Sequence, residues 1–146
     1  MLNLVGMGGT FDHLHDGHKF LIETALKVSH KVVIGLTSQE MLKHKKHALY
    51  IEDFETRKRS LEKFISSITE LSRVKIVELN DPYGPPIKEP EYEGLIASQE
   101  TYLNALKLNE VREANGFKPL IIIIIPMIKG KNNQRLSSTA IREKLV

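Results

Sequence analysis

Residues 8–20, GGTFDHLHDGHKF, concentrate three glycines, three histidines and two aspartates within thirteen positions. Three kinds of chemistry use such a set. His13, His15 and His18 with Asp12 and Asp16 offer nitrogen and oxygen ligands to a metal, although their spacing differs from the i, i+4 pair of a helical zinc site. Gly8-Gly9 alone mark a tight turn, which leaves the imidazoles as a solvated loop. The third reading is a phosphate cradle. Glycines let backbone amides approach an anion, and the start of a following helix adds free N–H groups and the positive end of its dipole. His15 then stands just before that helix and His18 in its first turn, where both rings can face one oxyanion. Only the third reading uses glycines, histidines and helix start together.

Two further polar stretches have the same ambivalence. SSTAIR, residues 137–142, is an ordinary helix N-cap by composition, and equally a source of hydroxyls and amides for phosphate oxygens. KHKKH, residues 43–47, is a solvated charge run or the source of one lysine for an anionic substrate. No serine–histidine–acid set for nucleophilic catalysis is assignable.

The elements that must position these groups alternate in kind. Residues 2–8 read as a short buried strand, and 17–29 as a helix with Phe20, Leu21, Ala25 and Val28 at helical spacing. KVVIGLT (31–37) is a second strand. Residues 52–71 form an amphipathic helix capped by Asp53, with Leu61, Phe64, Ile65, Ile68 and Leu71 on one face. VKIVEL (74–79) is a third strand, NDPYGPPIKEP a loop, EGLIAS (93–98) a fourth strand and 99–116 a helical segment ending on Gly116. PLIIIIIPM (119–127) is the fifth strand; five isoleucines without alternation predict cover on both faces. A last helix follows from Ser137. Strand–helix alternation implies right-handed crossovers and an α/β, doubly wound parallel sheet. Ligands of such sheets bind beyond the carboxyl ends of the strands, which is where the glycine–histidine stretch falls.

Composition narrows the setting. The 146 residues suit one domain, 1–146, with a real core. There is no cysteine, which excludes disulfides and thiolate metal sites. The longest apolar run is about half the length of a membrane helix and is interrupted by proline. No signal-peptide pattern is read at the N-terminus, so a cytoplasmic protein without a membrane partner is expected. A formal charge of +3 suits small anionic ligands, and an aromatic content of 6% gives little basis for a nucleic-acid surface.

GGTFDHLHDGH resembles the signature of the nucleotidyltransferase superfamily, Gly-x-Phe-Asp followed by His-x-Gly-His, present here as His15-Asp16-Gly17-His18. The superfamily's Ser-Ser-Thr-x-Ile-Arg is matched by Ser137 to Arg142. Within that superfamily the middle of the chain is similar to the archaeal and eukaryotic type of phosphopantetheine adenylyltransferase. The matching residues are Asp81-Pro82-Tyr83-Gly84-Pro85, then Ser98, Glu100, Thr101, Tyr102, Asn109, Arg112 and Gly116, with Met41-Leu42-Lys43 and Phe54…Arg57 as further echoes. Two departures stand out: Gln99 replaces a glutamate, and Asn104-Ala105 replace paired glycines.

The resemblance implies a Rossmann-like sheet of order 3-2-1-4-5 with helices on both faces. It also implies transfer of adenylyl from ATP to 4′-phosphopantetheine, giving dephospho-coenzyme A and pyrophosphate, with Mg²⁺ carried by ATP. Its implied catalytic residues are His18, at the α-phosphate, and Lys43, on the acceptor phosphate, with Lys46 in reserve. Gly9, Thr10, Phe11, His15, His18, Ser137, Ser138, Thr139 and Arg142 are implied for ATP. Thr10, Lys43, Asp81 and Tyr83 are implied for the acceptor. Several have structural alternatives: Phe11 as core, Asp12 as loop anchor, DPYGP as a rigid turn. Other functions sharing the end motifs are adenylyl or cytidylyl transfer to another phosphate acceptor, a non-catalytic nucleotide-binding module, and a metal-dependent hydrolase.

Overall fold

The computed structural model describes residues 1–43 and 48–126. The expected Ser137, Ser138, Thr139 and Arg142, the reserve Lys46 and the last helix lie outside the described residues. Five strands run β1 (Leu2–Gly9), β2 (Ser29–Thr37), β3 (Val74–Leu79), β4 (Gly94–Ser98) and β5 (Ile121–Ile125). Four helices are α1 (Asp16–Val28), α2 (Gln39–Leu42), α3 (Phe54–Ile68) and α4 (Tyr102–Ala114). The strands are all parallel and ordered β3-β2-β1-β4-β5, as the resemblance implied. β1, the first strand formed by the chain, is therefore central, flanked by β2 and β4. The chain departs to one side of it first and returns to the other.

The two faces of the sheet differ. On one face Val5, Met7, Val32, Ile34, Leu36, Ile96 and Ile125 meet Ile22, Ala25 and Leu26 of α1 and Leu61 and Ile65 of α3, forming the main core. On the other face α4 brings Ala105 and Leu108 against Leu95 and Ala97 of β4, joined by Tyr92 and Leu120. That second face has small residues where β1 and β2 cross it. Strand alternation puts Gly6 and Gly8 of β1 and Gly35 of β2 on the side opposite Val5, Met7 and Ile34. A methyl group on Gly35 would stand 2.7 Å from Leu79 Cγ, and one on Gly84 would stand 2.6 Å from Leu79 Cδ2. Leu79 thus settles into a notch made by absent side chains, and the remaining space is open.

Caps set the helix boundaries. Asp53 accepts the Thr56 N–H at 2.7 Å, starting α3 where expected. Ser38 likewise accepts from Met41 N–H at 3.3 Å and starts α2, a short helix that no periodicity announced. α4 ends before Gly116, whose φ of +83° suits glycine.

β5 corrects one expectation. Its isoleucines predicted burial on both faces, but the strand sits at the sheet edge, paired only with β4 among the described residues. Ile121 is 57% exposed and Ile124 40%. Its strand pairing also stops short of the expected 119–127, because Pro119 and Pro126 cannot donate to a ladder.

The notch makes a stability prediction. Gly35→Ala forces Leu79 out of its place and should lower stability by about 1–3 kcal/mol, the usual range for overpacking. Combined with Leu79→Ala the cost should be clearly less than the sum of the single costs, as measured by a double-mutant cycle in urea.

Candidate active site

The open part of the second face is a cleft of about 400 Å³ at the carboxyl ends of β1, β2 and β4. Its floor is Gly6, Gly8 and Gly35; its polar end carries Thr10, His15, His18 and Thr37. The other end runs under Tyr83, Pro86, Tyr92, Leu95 and Leu108 and is largely apolar.

The histidines sit at the start of α1. His15 is the N-cap, with extended backbone, and its Nδ1 accepts the Gly17 N–H at 3.1 Å. His18, three residues on, returns the bond: its Nδ1 accepts the His15 N–H at 3.3 Å. This is a capping box built from two imidazoles rather than a hydroxyl and a carboxylate. Gly17 is the spacer because a methyl group there would stand 2.9 Å from His15 Cε1. The rings stack with centroids 3.8 Å apart and planes 20° from parallel. His15 Nε2 is a buried polar atom with no hydrogen-bond partner. Burial holds both rings below the ordinary imidazole pKa. His18 is brought to about 3 by burial and then by the neighbouring His15. His15 is lowered by burial, against the pull of Asp16 and Glu100. Both rings are therefore neutral near pH 7.

The loop between β1 and α1 is strongly bent. Phe11 and His13 have φ of +50° and +46°, which side chains with a Cβ rarely adopt. Phe11 is nonetheless 3% exposed and Asp12 fully buried. Phe11 lines the cleft and leans on His18, ring centroids 5.3 Å apart. Asp12 Oδ1 accepts the Glu52 N–H, and Glu52 Oε1 accepts the His13 N–H, each at 2.8 Å. Asp12 is thus an anchor for the loop. With His13 and Glu52 it forms the grouping spaced for a metal among the described residues, but these hydrogen bonds already tie it to the scaffold, outside the cleft lining.

Arg57 of α3 holds the bend. It is fully buried. Its Nε donates to Glu52 O at 3.0 Å, Nη1 to Thr10 O at 3.0 Å and Thr37 Oγ1 at 3.4 Å, and Nη2 to Gln39 Oε1 at 2.7 Å. Because guanidinium only donates, Thr37 Oγ1 accepts from it and passes its own hydrogen to Thr10 Oγ1 at 3.3 Å. The ends of β1 and β2 are so locked together at the polar end of the cleft.

A family model described as cytidylyltransferase-like matches residues 7–144. The chain belongs to that family. Among its relatives, phosphopantetheine adenylyltransferase of Pyrococcus abyssi is 41% identical over 142 residues, 97% of this chain and 90% of that protein. The enzyme of that name from Pyrococcus horikoshii is 42% identical over 97% of this chain and 89% of its own length. The one from Saccharomyces cerevisiae is 36% identical over 98% of this chain, which spans about half (48%) of that longer protein. A solved structure of a protein of unknown function from Archaeoglobus fulgidus is 32% identical, with TM-score 0.74, over 85% of this chain and 98% of its own. The fold is shared more widely. A bifunctional NMN adenylyltransferase/ADP ribose pyrophosphatase from Francisella tularensis, 21% identical, superposes with TM-score 0.62 over 99% of this chain and 41% of its own.

Against this family background the expected site residues divide. Gly9, Thr10, Phe11, His15 and His18 converge on the cleft, and Tyr83 lines it too. Lys43 does not reach it. It caps the carboxyl end of α2, exposed, with Nζ 2.5 Å from Glu40 Oε1. An i, i+3 partner on its own short helix draws it away from the cleft lining. Asp81 also stays outside the lining, because its Oδ1 accepts the Tyr83 and Gly84 N–H groups at 2.9 and 2.7 Å. Those bonds hold its carboxyl below the usual range and make it the hinge pin of the DPYG turn. Among the described residues the lining contains no lysine or arginine.

Other family-matching positions prove structural. Arg112, 1% exposed, gathers the carbonyls of Pro86, Glu89, Tyr92 and Lys118 onto α4. Asn109 exchanges two hydrogen bonds with Leu120 and fixes the start of β5. At the departure from paired glycines, Asn104 donates to Pro82 O at 2.8 Å and lines the cleft, while Ala105 packs in the core. Sequence reasoning did not single out Thr37 or Gln39. The signal was their place at the carboxyl end of a buried strand, Thr37 as its last residue and Gln39 just beyond it.

Two outcomes follow. Arg57→Lys loses the planar fork and should cost roughly 1.5–3 kcal/mol, the range for hydrogen bonds to a charged group; denaturant unfolding checks it. His18 titrates near 6.5 when unfolded and near 3 when folded. The folded chain binds fewer protons in that window, so His18's contribution is complete above about pH 6.5 and is lost as pH falls toward 3. His18→Asn keeps an acceptor for the His15 amide but cannot be protonated. It should flatten the acid side of the stability profile, measured by urea midpoints across that window.

Proposed function

We propose that this chain is a nucleotidyltransferase of coenzyme A biosynthesis that moves the adenylyl group of ATP onto 4′-phosphopantetheine, releasing dephospho-coenzyme A and pyrophosphate. The observation that carries the reading is the double-histidine cap, with the buried, unpartnered His15 Nε2, at the polar end of a cleft whose other end is apolar. Near-full-length likeness to phosphopantetheine adenylyltransferases supports the acceptor. A triphosphate suits the polar end, and an extended, mostly uncharged pantetheine arm suits the channel under Tyr83, Pro86 and Leu108.

The chemistry asks little covalent help from the protein. An oxygen of the acceptor phosphate attacks the α-phosphorus of ATP in line, the bond to the bridging oxygen of pyrophosphate breaks, and pyrophosphate leaves with the electron pair. The attacking oxygen is already anionic, so no strong base is required. What accelerates the step is alignment and donors placed where charge spreads at the α-phosphate. His15 and His18 present ring N–H groups there. The start of α1 adds the positive end of a helix dipole. Thr10, whose hydroxyl oxygen accepts from Thr37 at the polar end of the cleft, is suited by its position to align the acceptor. Mg²⁺ arrives as part of the ATP substrate, its charge offsetting that of the triphosphate. Lys43 and the Ser137–Arg142 stretch complete the proposed set as further phosphate contacts. Lys43 must then leave Glu40, an exposed pair worth at most about 1 kcal/mol. No helix among the described residues is long and apolar enough to cross a membrane.

The test is product analysis. With ATP, Mg²⁺ and 4′-phosphopantetheine the purified chain should release pyrophosphate and form dephospho-coenzyme A, identified by mass. Parallel reactions with nicotinamide mononucleotide and flavin mononucleotide should give little product. Preferred turnover of either of these would overturn the acceptor, and ATP hydrolysis without transfer would overturn the reaction class.

A further inference from the structure

The backbone decides where the protons of the two imidazoles sit. His15 Nδ1 accepts the Gly17 N–H, and His18 Nδ1 accepts the His15 N–H. An amide N–H only donates, so each Nδ1 must carry a lone pair and each ring's proton must be on Nε2. A second proton could enter only at Nδ1. There it would set an N–H against an N–H and open the cap that starts α1. His15, stacked on His18 with centroids 3.8 Å apart, opposes a cation on His18 further. The charged groups acting on the pair are Asp16, on α1 itself, and Glu100, just before α4; both favour a cation on His15, and burial outweighs them. On His18, burial and His15 act in the same direction, toward the neutral ring.

We propose that His15 and His18 serve the transfer as neutral, tautomer-locked Nε2–H donors, and that neither becomes an imidazolium at any step. The inference rests on the adenylyl-transfer reading for its ligand, but not on the identity of the acceptor. It is compatible with the balance of the reaction, because the new P–O bond and the departing pyrophosphate need no proton from the protein. Each ring then has two separate jobs on its two nitrogens: Nδ1 holds the helix start, and Nε2 meets the phosphates.

Those jobs separate experimentally. Nitrogen-detected NMR of the full, ¹⁵N-labelled chain reports the tautomer of each histidine, alone and with α,β-methylene ATP and Mg²⁺. Both rings should read as Nε2–H, neutral, in both states between about pH 6 and 8. An imidazolium or Nδ1–H form of either ring in the complex overturns the proposal. Because this readout needs no turnover, it survives failure of the acceptor assignment, which the product assay reports separately.

Kinetics gives the second arm. Asparagine at position 18 keeps an acceptor in the Nδ1 place and loses the outer donor; glutamine keeps a donor in the Nε2 place and loses the inner acceptor. His18→Asn should therefore unfold near the wild-type midpoint at pH 8, where the ring carries no charge, yet lose about 10²–10³ in kcat, the usual loss for one well-placed donor. His18→Gln should be less stable but retain kcat within about tenfold, with no acid-side change attributable to residue 18. If both folded variants are equally inactive, or the asparagine variant is the more active, the neutral-donor role is overturned.

Discussion

The buried guanidinium of Arg57 is the constraint on which the polar end of the cleft depends. It touches the end of β1, the end of β2, the start of α2 and the segment leading into α3. Each of those segments contributes an oxygen that water would otherwise solvate. Burying a cation is costly unless its donors are satisfied. Here four oxygens from different parts of the chain satisfy them, so the bonds form together or not at all. Asp12 completes the arrangement from the other side by accepting the Glu52 N–H. Between them these two groups hold a loop containing two residues at positive φ, which local propensity alone would not maintain.

From this anchor the cleft follows. Once the end of β1 is tied to β2, α1 must start where His15 can cap it, and its dipole points into the space above the glycines. That space exists because Gly6 and Gly8 of β1 and Gly35 of β2 carry no side chain there, while α4 packs on the β4 side of the same face. Arg112 performs on α4 the service Arg57 performs on α3, gathering loop carbonyls that have no ladder partner. The two walls of the cleft are therefore each held by one buried arginine, and its floor by the absence of Cβ atoms. Asn104 adds a side-chain tie between α4 and the turn at Pro82, which braces that edge of the cleft.

Much of this was legible before any coordinates. The parallel α/β sheet and the position of α1 follow from alternation, the strand order 3-2-1-4-5 was implied by the family resemblance, and Thr10, His15 and His18 gather because they belong to one motif whose residues lie close in sequence. Groups close in sequence at a strand end have little freedom to separate. What the sequence hid depends on side-chain partners far along the chain. Lys43 matched a phosphate-binding position, but a lysine's long stem lets a neighbouring carboxylate take its head group, and Glu40 does so. Asp81 looked suited to touch substrate, yet an aspartate before a turn finds backbone amides two and three residues on more readily than any ligand. Thr37 carries no motif at all; its importance comes from Arg57, twenty residues later. The isoleucine run misled about β5 because composition reports the environment a strand tolerates, while edge position is a property of the whole sheet.

In the proposed reading of the histidine pair, burial serves a polyanion site without supplying charge. Burial removes water from the rings, and in a low-dielectric surrounding a neutral N–H···O⁻ bond strengthens along with every other electrostatic term. The same burial prevents the rings from charging, so their donor strength does not vary with pH near neutrality. An imidazolium would attract a triphosphate more strongly before reaction as well as during it, deepening the ground state and gaining little rate. A neutral donor fixed by the backbone discriminates by direction instead. It rewards the geometry in which the α-phosphate oxygens swing toward Nε2, and that geometry is reached as the phosphorus flattens during transfer. The capping box is what makes this affordable to the fold: the acceptor nitrogen of each ring stabilises the helix whether or not a ligand is bound, so the outer nitrogen of His15 can stay without a protein partner.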